Sequence, residues 1–158
     1  MKKEPRIKTS DSEKVSAENF ENLFKTLSAN EAHVAPSLFT NRRIFSNVLA
    51  RIELFKRVLE IPGDVIECGV FKGNGLMTFF HLSSVLEPYN INRKIIGFDT
   101  FTGFPNANYE FDPEINEGYL NEVNFNVLLK ILELQESDKL LDHVSKSLLI
   151  QGNAMDTI

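Results

Sequence analysis

The chain has 158 residues, of which 42% are hydrophobic and 25% are charged, a composition ordinary for a globular protein with one sizeable core. Its net charge of -5 argues against a nucleic-acid partner, which usually requires a basic face. The single cysteine excludes an internal disulfide, and no apolar run is long enough to span a bilayer or to act as a secretory signal. These features predict a cytoplasmic protein whose partners include neither a membrane nor a nucleic acid.

Residues 1–40 are predicted to form a tail and a helical extension. Residues 1–15 are polar and lack apolar periodicity, so they are predicted to be disordered. A short helix is expected from Ser16 to Leu27, where apolar residues recur at spacings of three and four. The segment from His33 to Phe39 contains a proline and is predicted to be a connector.

The remaining part, residues 41–158, is predicted to begin with an amphipathic helix. Thr40 or Asn41 can cap this helix, and the proline and glycine of Ile61-Pro62-Gly63 end it. Its apolar stripe has helical spacing and consists of Ile44, Val48, Ile52, Phe55 and Leu59.

Three strands and two helices are predicted to follow. The strands run from Asp64 to Val70, from Lys94 to Asp99 and from Ser147 to Gln151. The helices run from Leu76 to Glu87, with Asn74 as cap, and from Phe125 to near Glu136. The first helix is apolar on most sides and is predicted to be buried. This alternation predicts a parallel sheet with right-handed crossovers. The loop from Phe101 to Gly118 is interpreted either as a lid or acceptor-binding segment or as an acidic surface loop.

The turn after the first strand carries glycines at Gly69, Gly73 and Gly75. Open α/β sheets bind ligands at such turns, because glycine lets the backbone approach the ligand and the next helix offers unpaired N–H groups. The spacing does not match the dinucleotide pattern Gly-x-Gly-x-x-Gly. Glu67 would repel a pyrophosphate but attract an ammonium or sulfonium group. S-adenosylmethionine carries both cations and no phosphate.

Polar residues also end the other two strands. Asp99 ends the second strand, where a carboxylate can accept hydrogen bonds from ribose hydroxyls. Gly152-Asn153-Ala154 follows the third strand, where a side-chain amide can contact an adenine amino group. The three strand ends therefore offer partners for the amino acid, the ribose and the base of S-adenosylmethionine.

Residues 42–158 resemble the macrocin O-methyltransferase (TylF-like) family. The resemblance rests on the segments "IPGDVIECGVFKG" and "GFDTFTGFP", supported by "GNAMDTI". It implies an α/β fold of the class I methyltransferase type. This fold would be doubly wound (Rossmann-like) but incomplete, with an N-terminal helical extension. It also implies S-adenosylmethionine as methyl donor, a sugar hydroxyl as acceptor and, in characterised members, a divalent metal such as magnesium (Mg2+).

The resemblance places Glu67 and Gly69 in the first cofactor motif and identifies Asp99 as the ribose-binding acid. Asn153 stands where the family usually has aspartate, so adenine recognition departs from the pattern. The predicted cofactor-binding residues are Glu67, Gly69, Val70, Gly73, Asp99, Thr100, Asn153 and Ala154.

The chain ends at Ile158, directly after the third strand, so it is predicted to be the cofactor-binding half of a longer enzyme and inactive on its own. The resemblance implies that the general base and the metal ligands lie beyond this point, and no catalytic residue is assigned. The sequence leaves open a methyltransferase with another small-molecule acceptor, a NAD-dependent oxidoreductase and a non-catalytic interaction fragment. It also leaves open whether the first helices cover the cofactor or form a homo-oligomer interface. Cys68 is predicted to be a small buried side chain.

Overall fold

The computed structural model of the protein describes residues 11–104 and 124–157. The chain divides into two compact units, Met1–Ser46 and Asn47–Ile158. The sequence-based division at residue 40 and the roles given to its two parts stay predictions. No helix in the described ranges is long and apolar enough to cross a bilayer.

The first unit contains three helical segments. Helix α1 comprises Asp11–Phe24, helix α2 comprises Ala29–Val34, and a short 3-10 helix comprises Pro36–Phe39. The expected disorder up to residue 15 is therefore wrong from Asp11 onward, and the expected connector is largely helical. The predicted helix from Ser16 is confirmed in type, but it begins earlier and ends at Phe24.

A capping box explains why α2 forms. The hydroxyl of Ser28 accepts a hydrogen bond from the backbone N–H of Glu31 at 3.2 Å, and the carboxylate of Glu31 accepts one from the backbone N–H of Ser28 at 2.7 Å. This reciprocal pair satisfies donors that a helix start leaves open. The ring of Phe24 stacks on that of Phe39 with centroids 5.5 Å apart, so α1 contacts the 3-10 helix.

Helix α3, Arg42–Val58, confirms the predicted amphipathic helix. Asn41 caps it, because its Oδ1 accepts the backbone N–H of Ile44 at 3.0 Å. The apolar stripe is buried unevenly, since Phe55 is 1% exposed whereas Ile44 is 41% exposed. Phe55 belongs to the core of the second unit, and Leu59 packs against this core.

The second unit is built on three parallel strands in the order β1-β2-β3, which confirms the predicted parallel sheet. Strand β1 comprises Val65–Cys68, strand β2 comprises Ile95–Asp99, and strand β3 comprises Ser147–Gln151. Helix α4, Asn74–Leu86, connects the first two strands, helix α5, Phe125–Asp138, precedes the third, and helix α6, Ala154–Thr157, follows it. All three strand ends that carry the predicted site therefore point to one edge of the sheet.

The core lies on one face of the sheet. Helices α4 and α5 both contribute side chains to one buried cluster with residues of β2 and β3, so the two helices pack on the same face. The buried apolar cluster consists of Phe55, Val70, Leu76, Ile95, Phe101, Leu128, Leu132 and Leu149.

On the opposite face of the sheet, Phe98 is buried but two neighbouring side chains are exposed. Ile66 and Leu148 both pair in register with Ile96, and they are 53% and 49% exposed. Cys68 is exposed too, so its predicted burial is wrong. Side chains alternate along a strand, and Cys68 falls on the face with Ile66, away from α4 and α5.

Helix α4 differs from its prediction at its start and in its burial. Gly73, with a left-handed φ of +83°, is the N-cap, whereas the predicted cap Asn74 is the first helical residue. The helix is not buried on most sides, because Val85 is 74% exposed. The buried residues of the helix are Gly75, Leu76, Phe80 and Ser83, and Met77, Phe79 and Leu82 are partly buried against the core.

A buried cation fixes the amino-terminal edge of the sheet. Arg93, which is 4% exposed, pairs with Glu87 at 2.8 Å. Its guanidinium also donates hydrogen bonds of 2.7 to 2.9 Å to three main-chain carbonyl groups, those of Val58, Ile61 and Gly63. These bonds satisfy carbonyl groups at the end of α3 and in the turn before β1.

A second polar cluster connects α5 to the start of β3. The carboxylate of Glu136 accepts hydrogen bonds from the backbone N–H groups of Lys146 and Ser147 and forms an ion pair with Lys139 at 3.2 Å. Burial raises the pKa of Glu136, but hydrogen bonds from Ser147 and Lys146 outweigh burial and hold the pKa below its ordinary value of 4.5.

Candidate functional site

An open cleft lies at the carboxyl-terminal edge of the sheet, with a volume of about 270 Å³. It is bounded by the turns that follow all three strands, as expected for a ligand site of an open α/β sheet. The lining residues are Gly69, Phe71, Phe98, Asp99, Thr100, Gly103, Phe104, Gly152, Asn153 and Ala154.

Asp99 connects the three turns. Its Oδ2 accepts the backbone N–H of Phe71 at 2.8 Å, and its Oδ1 accepts that of Phe101 at 2.8 Å. Its main-chain carbonyl accepts the N–H of Gly152 at 2.9 Å. A carboxylate offers about four acceptor positions, so Asp99 can accept further hydrogen bonds from a ligand in the cleft.

The turn after β1 has an unusual backbone. Gly69, Phe71 and Gly73 all have left-handed φ values, of +85°, +50° and +83°. The N–H of Gly73 donates to the carbonyl of Val70 at 2.9 Å and closes the turn. Left-handed backbone is costly for a residue with a side chain, and the hydrogen bond to Asp99 stabilises it at Phe71.

Glu67 does not line the cleft. Its side chain is 15% exposed, and its Oε1 lies 3.3 Å from Nη2 of Arg51 on α3. The same oxygen is packed against the start of α4, because a Cβ on Gly75 would lie 1.9 Å from it. Burial raises the pKa of Glu67 above 4.5, and the hydrogen bond and charge of Arg51 oppose the rise.

The turns after β2 and β3 are braced by their own side chains. The hydroxyl of Thr100 donates to the carbonyl of Gly103 at 2.6 Å. Oδ1 of Asn153 accepts the backbone N–H of Met155 at 3.1 Å and so caps α6, although an amide oxygen can accept a second hydrogen bond.

The structure brings together five of the eight predicted cofactor residues, namely Gly69, Asp99, Thr100, Asn153 and Ala154. Glu67, Val70 and Gly73 do not line the cleft. Val70 is 4% exposed in the core, and Gly73 packs against Leu128. Their roles in cofactor binding stay predictions, as do those of the five residues in the cleft.

Sequence reasoning missed half of the cleft lining, including both exposed aromatic rings, Phe71 and Phe104. Both residues stand inside the quoted motifs, and that position was the available signal: Phe104 follows Gly103, and Phe71 lies midway between Gly69 and Gly73. Most of the predicted lid, which began at Phe101, lies outside the described residues.

The described residues contain no group of three or more His, Cys, Asp or Glu side chains that could hold a metal ion. The divalent metal expected from the resemblance stays a prediction.

The parallel sheet, the helices that connect its strands and the cleft at the strand ends define an α/β protein of the Rossmann-like class I methyltransferase type. The sequence model of the macrocin-O-methyltransferase (TylF) family matches residues 4–144. The chain belongs to this family, which confirms the resemblance seen in the sequence.

Two solved structures share the fold. The crystal structure of CalS11, a calicheamicin methyltransferase, aligns with a TM-score of 0.80 at 30% identity and covers 92% of this chain and 60% of that chain. The apo structure of CalS11, described as a TDP-rhamnose 3'-O-methyltransferase in calicheamicin biosynthesis, aligns with a TM-score of 0.71 at 28% identity, over 92% and 57%. The chain thus spans about 60% of the length of this relative. No curated protein sequence matches it significantly.

Proposed function

We propose that the protein is an S-adenosylmethionine-dependent O-methyltransferase that methylates a sugar hydroxyl, and that this chain carries the cofactor-binding part. The observation that carries the proposal is the cleft lined from all three strand-end turns, with the Asp99 carboxylate between them. Family membership supports methyl transfer, and the name of CalS11 supports a sugar acceptor. A cytoplasmic location belongs to the same proposal.

The cleft fits the chemistry of the proposed cofactor. A Cβ on Gly69 would meet no atom within 4 Å, so the glycine borders open space where a ligand can approach the backbone. The remaining acceptor positions of Asp99 suit the neighbouring hydroxyls of a ribose. Asn153 supplies an amide at the end of the third strand, where the base would lie.

S-adenosylmethionine, when bound, supplies a methyl group that its sulfonium charge has already activated. The work of this chain is therefore to bind and orient, which is how enzymes reduce the entropic part of such a barrier. Asp99 would accept hydrogen bonds from the ribose and at the same time hold the turns after β1 and β2 in place. No residue in the described ranges is assigned to remove the acceptor proton.

The test is a calorimetric titration of S-adenosylhomocysteine into the protein and its Asp99→Ala variant. We expect binding to weaken by roughly 10-fold or more in the variant, because the ribose acceptor and the contacts between the turns are lost together. Asp142→Ala removes an exposed carboxylate between α5 and β3 and serves as the matched control. Transfer of a methyl group to TDP-rhamnose, followed by mass spectrometry, checks the acceptor class.

Two outcomes would contradict the proposal. Binding of NADH in place of S-adenosylhomocysteine would favour an oxidoreductase. A folded protein that binds neither ligand, with folding checked by circular dichroism, would favour an interaction fragment.

A further inference from the structure

Phe71, an aromatic residue in the turn after β1, lines the cleft and is 36% exposed, so a ligand in the cleft can reach it. None of the predicted cofactor roles includes it, although it lies between the two left-handed glycines of that turn.

The backbone of Phe71 is held by the residue proposed to bind the ribose. Its N–H donates to Oδ2 of Asp99 at 2.8 Å, and this bond stabilises a left-handed φ of +50°. A non-glycine residue kept in this region often serves a function that offsets the strain. Phe71 is therefore positioned beside Asp99 by a specific contact and does not simply fill the surface.

The ring already interacts with a cation in the structure. Nζ of Lys72 lies 5.4 Å from the centroid of the Phe71 ring, within the range in which a cation is attracted to an aromatic face. Aromatic rings bind alkylated cations by the same attraction, which strengthens when water is excluded.

In S-adenosylmethionine, a single carbon atom joins the sulfonium sulfur to the ribose. A ribose bound by Asp99 therefore brings the sulfonium close to the residues that contact this carboxylate, and Phe71 is the one whose side chain is both aromatic and exposed in the cleft. We propose that the Phe71 ring contacts the sulfonium centre and makes the cleft prefer S-adenosylmethionine over the neutral product S-adenosylhomocysteine. This inference rests on the proposed function.

Calorimetry with both ligands tests the inference on the whole protein. Phe71→Leu is expected to weaken S-adenosylmethionine binding about 3- to 30-fold more than S-adenosylhomocysteine binding, because only the first ligand is a sulfonium. Phe71→Tyr keeps an aromatic face and should retain the original selectivity. Phe104→Leu makes the same substitution on the turn after β2 and should leave the ratio of the two dissociation constants unchanged.

A measurement on the unsubstituted protein covers the case in which the leucine variant does not fold. The dimethylsulfonium analogue of 5'-methylthioadenosine should bind more tightly than the neutral parent compound, and equal affinities would overturn the inference. Equal weakening of both cofactor ligands by Phe71→Leu would also overturn it, while the proposed function would stand. If the unsubstituted protein binds neither S-adenosylmethionine nor S-adenosylhomocysteine, both the inference and the proposed function are overturned.

Discussion

Gly73 meets two separate demands in the turn before α4. Its left-handed φ of +83° disfavours any residue with a Cβ. A Cβ at this position would also lie 2.6 Å from Cδ1 of Leu128, which is closer than two carbon atoms pack. Glycine is therefore required by the conformation of the turn and by its contact with α5.

We predict that Gly73→Ala lowers the free energy of unfolding by about 2–4 kcal/mol, measured in urea, since it adds a conformational cost and a clash. Leu128→Ala alone removes a buried side chain and should also destabilise the protein. The double variant should lose less than the sum of the two single losses, because the shorter side chain makes room for the new methyl group. Additive losses would exclude the clash with Leu128 as a cause.

The residues of the cleft show how far single positions can be inferred from the sequence. Asp99 was placed correctly at the cleft because the end of a parallel strand fixes its location. The direction of the Glu67 side chain was not predictable, because it depends on Arg51, which lies on a different element. Phe71 left no periodic signal, since it stands in a turn with a backbone that only the folded structure defines.

Among the elements, α5 and β3 are connected through one carboxylate. Glu136 accepts backbone N–H groups at the start of β3, and its side chain is only 15% exposed. A carboxyl with a lower pKa in the folded than in the unfolded chain stabilises the fold above the unfolded pKa. That contribution is lost as the pH falls through the folded pKa.

We predict that Glu136→Gln lowers the free energy of unfolding by about 1–3 kcal/mol at neutral pH, because charge-assisted hydrogen bonds are lost. The difference from the unsubstituted protein should shrink as the pH is lowered below 4.5, the ordinary pKa of this group. Denaturant unfolding at a series of pH values measures both effects. Glu133→Gln, at an exposed position of the same helix, is the control. If the difference in the free energy of unfolding stays constant with pH, the loss of stability comes from the changed packing of the side chain and not from the loss of its charge.

The bounds of a helix or strand can be predicted from the sequence when local residues alone determine them, although a short local signal is easily missed. Strand β3 has the predicted bounds, Ser147–Gln151, because its apolar centre of two leucines and an isoleucine is followed closely by a glycine. Helix α2 was missed although its Ser28–Glu31 capping box is a local signal. The cap of α4 was assigned to Asn74 because asparagine is a common cap, whereas the left-handed turn places Gly73 there.

At the scale of the whole molecule, the sheet is covered by helices on one face in the described ranges. Leu149 is 8% exposed on the covered face, whereas its neighbour Leu148 is 49% exposed on the other. This protein matches 60% of the CalS11 chain. In a doubly wound sheet in general, helices cover both faces. The exposed face is therefore the surface on which additional segments of such a fold would pack.

Leu148 and Leu149 form a matched pair for testing this asymmetry. Leu149→Ala should lower the free energy of unfolding by about 2–5 kcal/mol, since it leaves a cavity in the core. Leu148→Ala should change it by less than about 1 kcal/mol, since the side chain is half exposed. Denaturant unfolding measures both. An equal cost for Leu148→Ala would mean that another segment or a second copy covers this face in solution.

The contacts of Asp99 bear on how readily the ligand preference of this cleft can change. All three hydrogen bonds that join the turns to Asp99 come from backbone N–H groups. These three hydrogen bonds do not themselves depend on the side chains of the donor residues, provided that the backbone keeps its path. A single invariant carboxylate would let the surrounding turns acquire new ligand preferences, which makes the cleft a favourable starting point for directed evolution.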